Sequence, residues 1–265
     1  MTDKQFKNKI WDYYRKHGRN LPWRKTKDPY KILVSEVMLQ QTQVERVIPK
    51  YKAFIKKFPT THTLARAPLA SVLKLWSGLG YNRRALYLKR TAETVVSEHK
   101  GIFPKTKSEL ENLPGIGPYT AGAIMAFAHN NPEIFIETNI RTVYIHLFFS
   151  QKKKVSDRDL LLIIERTLDH HNPRQWYAAL MDYGSMLKAI TPNPSRKSIH
   201  YSKQSRFEGS VRQERGRILK VLLEKDSVSE KKLRNNDAKI QFTQAIGGLI
   251  KDGLIKKKKS SYSLR

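Results

Sequence analysis

Apolar residues recur at helical spacing along most of the chain. Phe6, Ile10, Tyr13 and Tyr14 line one face of a first helix. Pro22 and Pro29 bracket a loop. Beyond it Ile32, Leu33, Val37, Met38, Val44, Val47 and Ile48 outline one longer amphipathic helix ending near Pro49. Further helical stretches follow at 51–58, 68–76, 83–99, 107–112, 119–128, 138–149, 157–169 and 173–188. Period-2 alternation is scarce over the first 190 residues, so the pattern predicts an all-α core of nine or ten helices.

Pro192-Asn193-Pro194-Ser195 interrupts this pattern. The next stretch, 196–213, carries Arg196, Lys197, Lys203, Arg206 and Arg212 with few apolar residues and reads as a basic linker or strap. A small module follows. Ile218, Leu219, Leu222 and Leu223 mark a helix over 217–225, and Ser229 caps a short second one to Arg234. Ile240, Phe242, Ile246, Leu249 and Ile250 mark a third, stopped by Gly253. Leu254-Ile255, the lysines at 256–259 and Tyr262-Ser263-Leu264 then read as a β-hairpin. Three helices and a two-stranded wing form a winged-helix pattern. The expected organisation is a core over 1–195, a strap over 196–213 and a winged-helix-like module over 214–265.

Charge changes the picture. Lys and Arg number 51 against 23 Asp and Glu, a net +28 with a pI near 10.2. The excess runs through both parts of the chain, so a polyanionic partner, nucleic acid, is expected. Cysteine is absent, which excludes a disulfide framework, a thiolate metal site, a Cys-ligated iron–sulfur cluster and a cysteine nucleophile. The eight histidines show no metal-ligand spacing. No apolar run is long enough for a membrane span, and residues 1–7 lack the features of a secretory signal. A cytoplasmic monomer without membrane contact, nucleoid-associated if the source is prokaryotic, is expected.

Three motifs carry candidate chemistry. In Leu113-Pro114-Gly115-Ile116-Gly117-Pro118-Tyr119-Thr120 a short helix meets a glycine turn and a second helix starts at once. Glycines let the backbone approach a ligand, and the first amides of the next helix point outward, as an anion site requires. In the run 29–44, Glu36 sits among Val34, Val37 and Met38. Apolar walls would raise its pKa toward that of a general acid at neutral pH. Gln40, one turn on, and Gln41 and Gln43 offer amides suited to base edges. A solvent-facing glutamate on a polar stripe is the competing reading. In the run 134–143, Glu137 directly precedes a helix, where the helix N-terminus favours a carboxylate.

Together with Leu21-Pro22-Trp23-Arg24, Trp76-Ser77-Gly78-Leu79-Gly80-Tyr81 and Ala179-Leu180-Met181-Asp182-Tyr183-Gly184, these motifs give the chain a strong resemblance to the helix-hairpin-helix DNA glycosylases. The resemblance covers about residues 5–190, and within that superfamily it points to the MutY adenine glycosylases. It implies an all-α, two-lobed helix-hairpin-helix glycosylase fold with the small C-terminal winged-helix module appended. It also implies base excision from double-stranded DNA holding a mispair or lesion. Glu36 matches the glutamate that protonates the departing purine, and Glu137 matches the catalytic aspartate. Tyr119 stands where lyase-active relatives carry lysine, so no Schiff base is expected. The resemblance places Gln40, Gln41, Tyr81, Leu113, Gly115, Ile116, Gly117 and Thr120 at the DNA. Arg24, Asn139, Arg196 and Lys203 are further candidate DNA contacts.

The chain departs from this family in three ways. The four cysteines of an iron–sulfur cluster are missing after Met186, so a clusterless form is expected. A monovalent cation at the hairpin backbone remains the only candidate ligand. The C-terminal residues are too few for the family's Nudix-like domain, which reads 8-oxoguanine. Glu137 replaces aspartate and moves the carboxylate by one methylene. The expected reaction is removal of adenine mispaired with 8-oxoguanine or guanine. Excision of mismatched thymine or uracil, or of hypoxanthine, is the alternative within the class. A non-catalytic winged-helix DNA-binding protein is the alternative outside it.

Overall fold

Helices begin where short polar side chains can take up the first free amides. In the computed structural model, which describes residues 1–225, 227–234 and 239–265, three helices start with a reciprocal capping box. Thr2 opens α1 (Asp3–His17), Thr60 opens α4 (Thr61–Arg66) and Ser156 opens α10 (Asp157–Thr167). The other helices before residue 191 are α2 (Pro29–Leu39), α3 (Val44–Lys57), α5 (Leu69–Trp76), α6 (Arg83–Glu98), α7 (Lys107–Glu111), α8 (Pro118–His129), α9 (Thr138–Phe148) and α11 (Pro173–Ile190). Eleven α-helices thus stand where nine or ten are expected. The addition is α4, whose six residues are too few to display a period.

The single helix expected over 32–49 is divided, and its second half is continuous with the separate stretch expected at 51–58. α2 stops at Leu39, Gln41 takes a left-handed φ of +55°, and α3 starts at Val44 and runs through Pro49. The carbonyls of Val37, Met38 and Gln40, left open at the end of α2, accept hydrogen bonds from the Arg84 guanidinium. A distant arginine therefore caps this helix, which no local pattern reveals. Nor is α2 amphipathic: residues 32–38 are all buried, as expected of a helix apolar on every side.

The chain forms two compact units of interleaved segments: unit 1 is Met1–Glu36, Phe103–Asn112 and Ile116–Lys203, and unit 2 is Val37–Ile102, Leu113–Gly115 and Gln204–Arg265. Unit 1 has an aromatic core, with the Phe6 ring edge-on to Trp176 and Phe148 and packed on Tyr144. α1, α8, α9, α10 and α11 contribute its buried side chains. In unit 2, Phe54, Val72, Trp76 and Leu88 are buried within α3, α5 and α6.

The C-terminal part of unit 2 contains α12 (Val211–Glu224), α13 (Glu230–Leu233) and α14 (Lys239–Lys251), with strands β1 (Val228–Ser229), β2 (Ile255–Lys258) and β3 (Ser261–Leu264). The expected wing is present. β2 and β3 pair antiparallel from Ile255 opposite Leu264 to Lys258 opposite Ser261, and β1 adds a third strand in the order β1-β3-β2. Two details differ from expectation. α12 starts at Val211, before Arg217, because the Ser210 side chain accepts from the Gln213 amide. Ser229 precedes α13 but makes no side-chain cap. Asp252 ties the module to the rest of the unit, pairing with Arg215 at 2.5 Å and Arg83 at 3.6 Å.

Candidate active site

Glu36 projects from the buried helix α2 and is only 4% exposed, so the solvent-facing reading falls. Its Oε2 accepts a hydrogen bond from the Tyr119 hydroxyl, supplied by the first turn of α8. Burial pushes the Glu36 carboxyl up to about 7. Tyr119 opposes that rise by bonding the charged form, Glu137 adds to it by repulsion, and Arg24 opposes it. Burial, with the negative charges of Glu36 and Glu137, holds the Tyr119 pKa well above its usual value. The phenol therefore stays protonated and donates, which leaves Oε1 of Glu36 to carry a proton near neutral pH.

Glu137 is the N-cap of α9. Its Oε1 accepts from the amides of Asn139 at 2.6 Å and Ile140 at 2.8 Å, and its Oε2 from Asn139 Nδ2 at 3.2 Å. The side chain folds back over the helix start and satisfies two free amides. Lys188 of α11 donates to Asn139 Oδ1 at 2.7 Å. The pKa of Lys188 is lowered by burial, against the pull of Glu137. α9 approaches α11 this closely because position 184 is glycine: a Cβ there would lie 2.3 Å from the Asn139 carbonyl oxygen.

Arg24, a candidate DNA contact, is committed elsewhere. Its guanidinium donates to both oxygens of the buried Asp182, at 2.7 and 2.8 Å, and to the carbonyls of Arg19 and Ala178. Arg19 adds a backbone and a side-chain bond to the same carboxylate. Burial alone would push the Asp182 carboxyl up, but the bonds and charges of Arg24 and Arg19 more than offset it and hold it below the usual range. Arg24 thus acts as a structural clamp whose charge also reaches Glu36, a role the isolated Leu-Pro-Trp-Arg run does not disclose.

The glycine turn has the geometry its sequence suggests. Gly115 has φ +77°, and a Cβ would come within 2.6 Å of Tyr87 Cβ. Thr91 of α6 donates to the Pro114 carbonyl at 2.6 Å. Gly117 is the exposed N-cap of α8 with no side-chain cap. Leu113, Ile116 and Thr120 are buried, so their side chains anchor the turn while the backbone faces outward. Gln41, Tyr81, Arg196 and Lys203 are exposed, and Gln40 and Asn139 are partly so.

The segment where the resemblance implies a cluster holds no thiolate. Pro194–Lys197 is instead a 3-10 turn. The buried Ser195 hydroxyl lies 2.7 Å from that of Thr142, and Val155 makes a parallel bridge with Ser198. Hydroxyls bonded to each other and to the Thr138 carbonyl are no ligands for iron and sulfide, so these residues do not fit the cluster.

With this geometry in view, comparison with known proteins places the chain. The family model for the HhH-GPD superfamily base excision DNA repair proteins matches residues 34–165. The adenine DNA glycosylase of Buchnera aphidicola subsp. Baizongia pistaciae is 41% identical over 196 residues, covering 73% of this chain and 56% of that protein. The adenine DNA glycosylase of Mycolicibacterium smegmatis is 32% identical over 268 residues, 93% of this chain and 91% of that protein. The structure of a thermostable thymine-DNA glycosylase superposes with a TM-score of 0.63 at 26% identity, over 74% of this chain and 91% of that one. The chain belongs to the HhH-GPD superfamily of base excision DNA repair proteins, in the family of the adenine DNA glycosylases. It spans little more than half the length of the Buchnera relative.

Proposed function

We propose that this chain is a monofunctional DNA glycosylase that hydrolyses the N-glycosidic bond of an adenine extruded from duplex DNA, the adenine standing opposite 8-oxoguanine or guanine. The observation that carries the proposal is the buried Glu36 carboxyl with a pKa near 7, held by Tyr119 in reach of the Glu137 charge.

A base buried in the stack is out of reach, so it leaves the helix first. Glu36 then gives its proton to a ring nitrogen, and the glycosidic bond breaks with its electron pair going to the base. Positive charge grows on the sugar, where the Glu137 carboxylate and the Tyr119 oxygen stabilise it. Water adds to the anomeric carbon, and its proton returns to Glu36. Position 119 has no amine, so no Schiff base with the sugar forms. The Gly115–Gly117 backbone would take a DNA phosphate, with a monovalent cation beside it. Arg196 and Lys203 would add charge along the strand. The chain would work as a monomer and without an iron–sulfur cluster.

A second reading, excision of mismatched thymine, has the likeness to the thymine-DNA glycosylase structure in its favour. Single-turnover excision from A:8-oxoG, A:G, T:G, U:G and hypoxanthine duplexes, developed with alkali, separates the two. Cleavage at adenine is expected, and Glu36→Gln should lower the rate by about 10²–10⁴-fold. Failure to produce an abasic site in any duplex would leave only a DNA-binding protein.

A further inference from the structure

A partly buried lysine stands one turn past the glycine that lets α9 and α11 meet. Gly184 faces the start of α9, where a Cβ would also lie 2.8 Å from Asn139 Cβ. Residues four apart on a helix share a face, so Lys188 follows Gly184 onto the Asn139 side chain. Placing an ammonium there costs desolvation and rotamer freedom, and burial lowers its pKa. Arg141 adds repulsion, although its guanidinium is bound to both oxygens of Asp157, at 3.0 and 2.8 Å. The attraction of Glu137 works against these costs.

Lys188 reaches Glu137 through an amide. Its Nζ donates to Asn139 Oδ1 at 2.7 Å, and Asn139 Nδ2 donates to Glu137 Oε2 at 3.2 Å. An ammonium has hydrogens to give and no lone pair to receive one. It therefore tolerates one orientation of the Asn139 amide, with oxygen toward Lys188 and nitrogen toward Glu137. Flipped, the amide would set its NH2 against the ammonium and its oxygen against the carboxylate. The positive charge also polarises the amide and strengthens its N–H as a donor. Glu137 is thus gripped at both oxygens, Oε1 by two backbone amides of α9 and Oε2 by Asn139. Bonds to one oxygen alone leave the carboxylate plane free to turn, and the bond to the second fixes it.

We propose that Lys188 is a positioning residue for excision, setting the Asn139 amide so that it holds the Glu137 carboxylate toward the sugar on which positive charge grows. The inference rests on the glycosylase reading and adds to it a cation that acts through Asn139 without touching DNA.

The test is single-turnover excision of adenine opposite 8-oxoguanine by the full chain, Lys188→Met and Lys188→Arg. Affinity is measured beside it on the same duplex carrying an uncleavable fluorinated analogue of the adenosine. Lys188→Met keeps an unbranched stem and removes the charge. It should lower the rate at least tenfold while affinity stays within twofold. Lys188→Arg restores a cationic donor and should recover the rate to within threefold of wild type. In an Asn139→Ala background Lys188→Met should change the rate less than twofold, because the group it sets is gone. Lys188→Gln, which stays polar, carries the same expectations should Met upset the packing. An unchanged rate, or the same loss in the Asn139→Ala background, would overturn the inference. So would an affinity loss as large as the rate loss, which would make Lys188 a DNA contact. If wild type excises a different base, the comparison is made on that base. Excision of no base by wild type would overturn the glycosylase reading and this inference together, whereas an active wild type with equally active Lys188 variants overturns this inference alone.

Discussion

Glu36 is a carboxyl whose burial works against the fold. Its pKa rises from 4.5 to about 7. The native state therefore holds a proton that the unfolded chain releases, and stability falls as pH rises from below 4.5 through 7. At pH 8 the penalty is on the order of 3 kcal/mol. Glu36→Gln should consequently melt several degrees above wild type at pH 8 and nearly with it at pH 4, as calorimetry at both pH values would show. The same ionisation sets the rate, which should decline above about pH 7. Tyr119 holds the Glu36 pKa down by bonding its charged form, so Tyr119→Phe should move that alkaline limb upward. A downward shift in the single-turnover profile would contradict the assigned hydrogen bond. From the residues alone, Glu36 reads more readily as a surface side chain than as a buried acid. Local sequence cannot tell whether a helix flanked by polar loops is covered on all sides. The family resemblance supplied what periodicity could not.

Among the elements, helix starts were the most legible and chain reversals the least. Thr2 and Ser156 announce their helices through side chains three residues away. The end of α2 depends on Arg84, more than 40 positions along. The close approach of α9 and α11 was equally hidden, although Gly184 in an otherwise bulky run was its trace. Gly184→Ala should force α9 away through the Asn139 carbonyl, costing ~1–3 kcal/mol and lowering excision by displacing Glu137. Thermal unfolding and single-turnover rates on the same preparation would link the two effects. Gly115→Ala meets a Cβ conflict and a forbidden φ together. It should weaken duplex affinity at least tenfold, measured by fluorescence anisotropy, without altering the Glu36-dependent pH limb.

For the molecule as a whole, the charge of +28 predicts an affinity for DNA that falls linearly with salt on logarithmic axes. Lys256, Lys258 and Lys259 are exposed on the wing, whereas Lys257 is occupied by Glu230. Replacing those three by glutamine should lessen the salt slope if the wing lies along the backbone, by roughly one for each phosphate the wing no longer neutralises. A slope equal to that of wild type would place the wing away from DNA. The helical class, the hairpin turn and the wing could all be read from sequence, because each is a local pattern. The interleaving of segments into two units could not, since it follows from contacts among residues far apart in the chain.

Ser195 and Thr142 join the end of the α11 segment to α9 with nothing more than two hydroxyl groups. A join of that kind needs no assembly machinery and no imported inorganic component. It also offers no sulfur for peroxide to attack. In the proposed clusterless form, starvation for iron would then leave this join untouched.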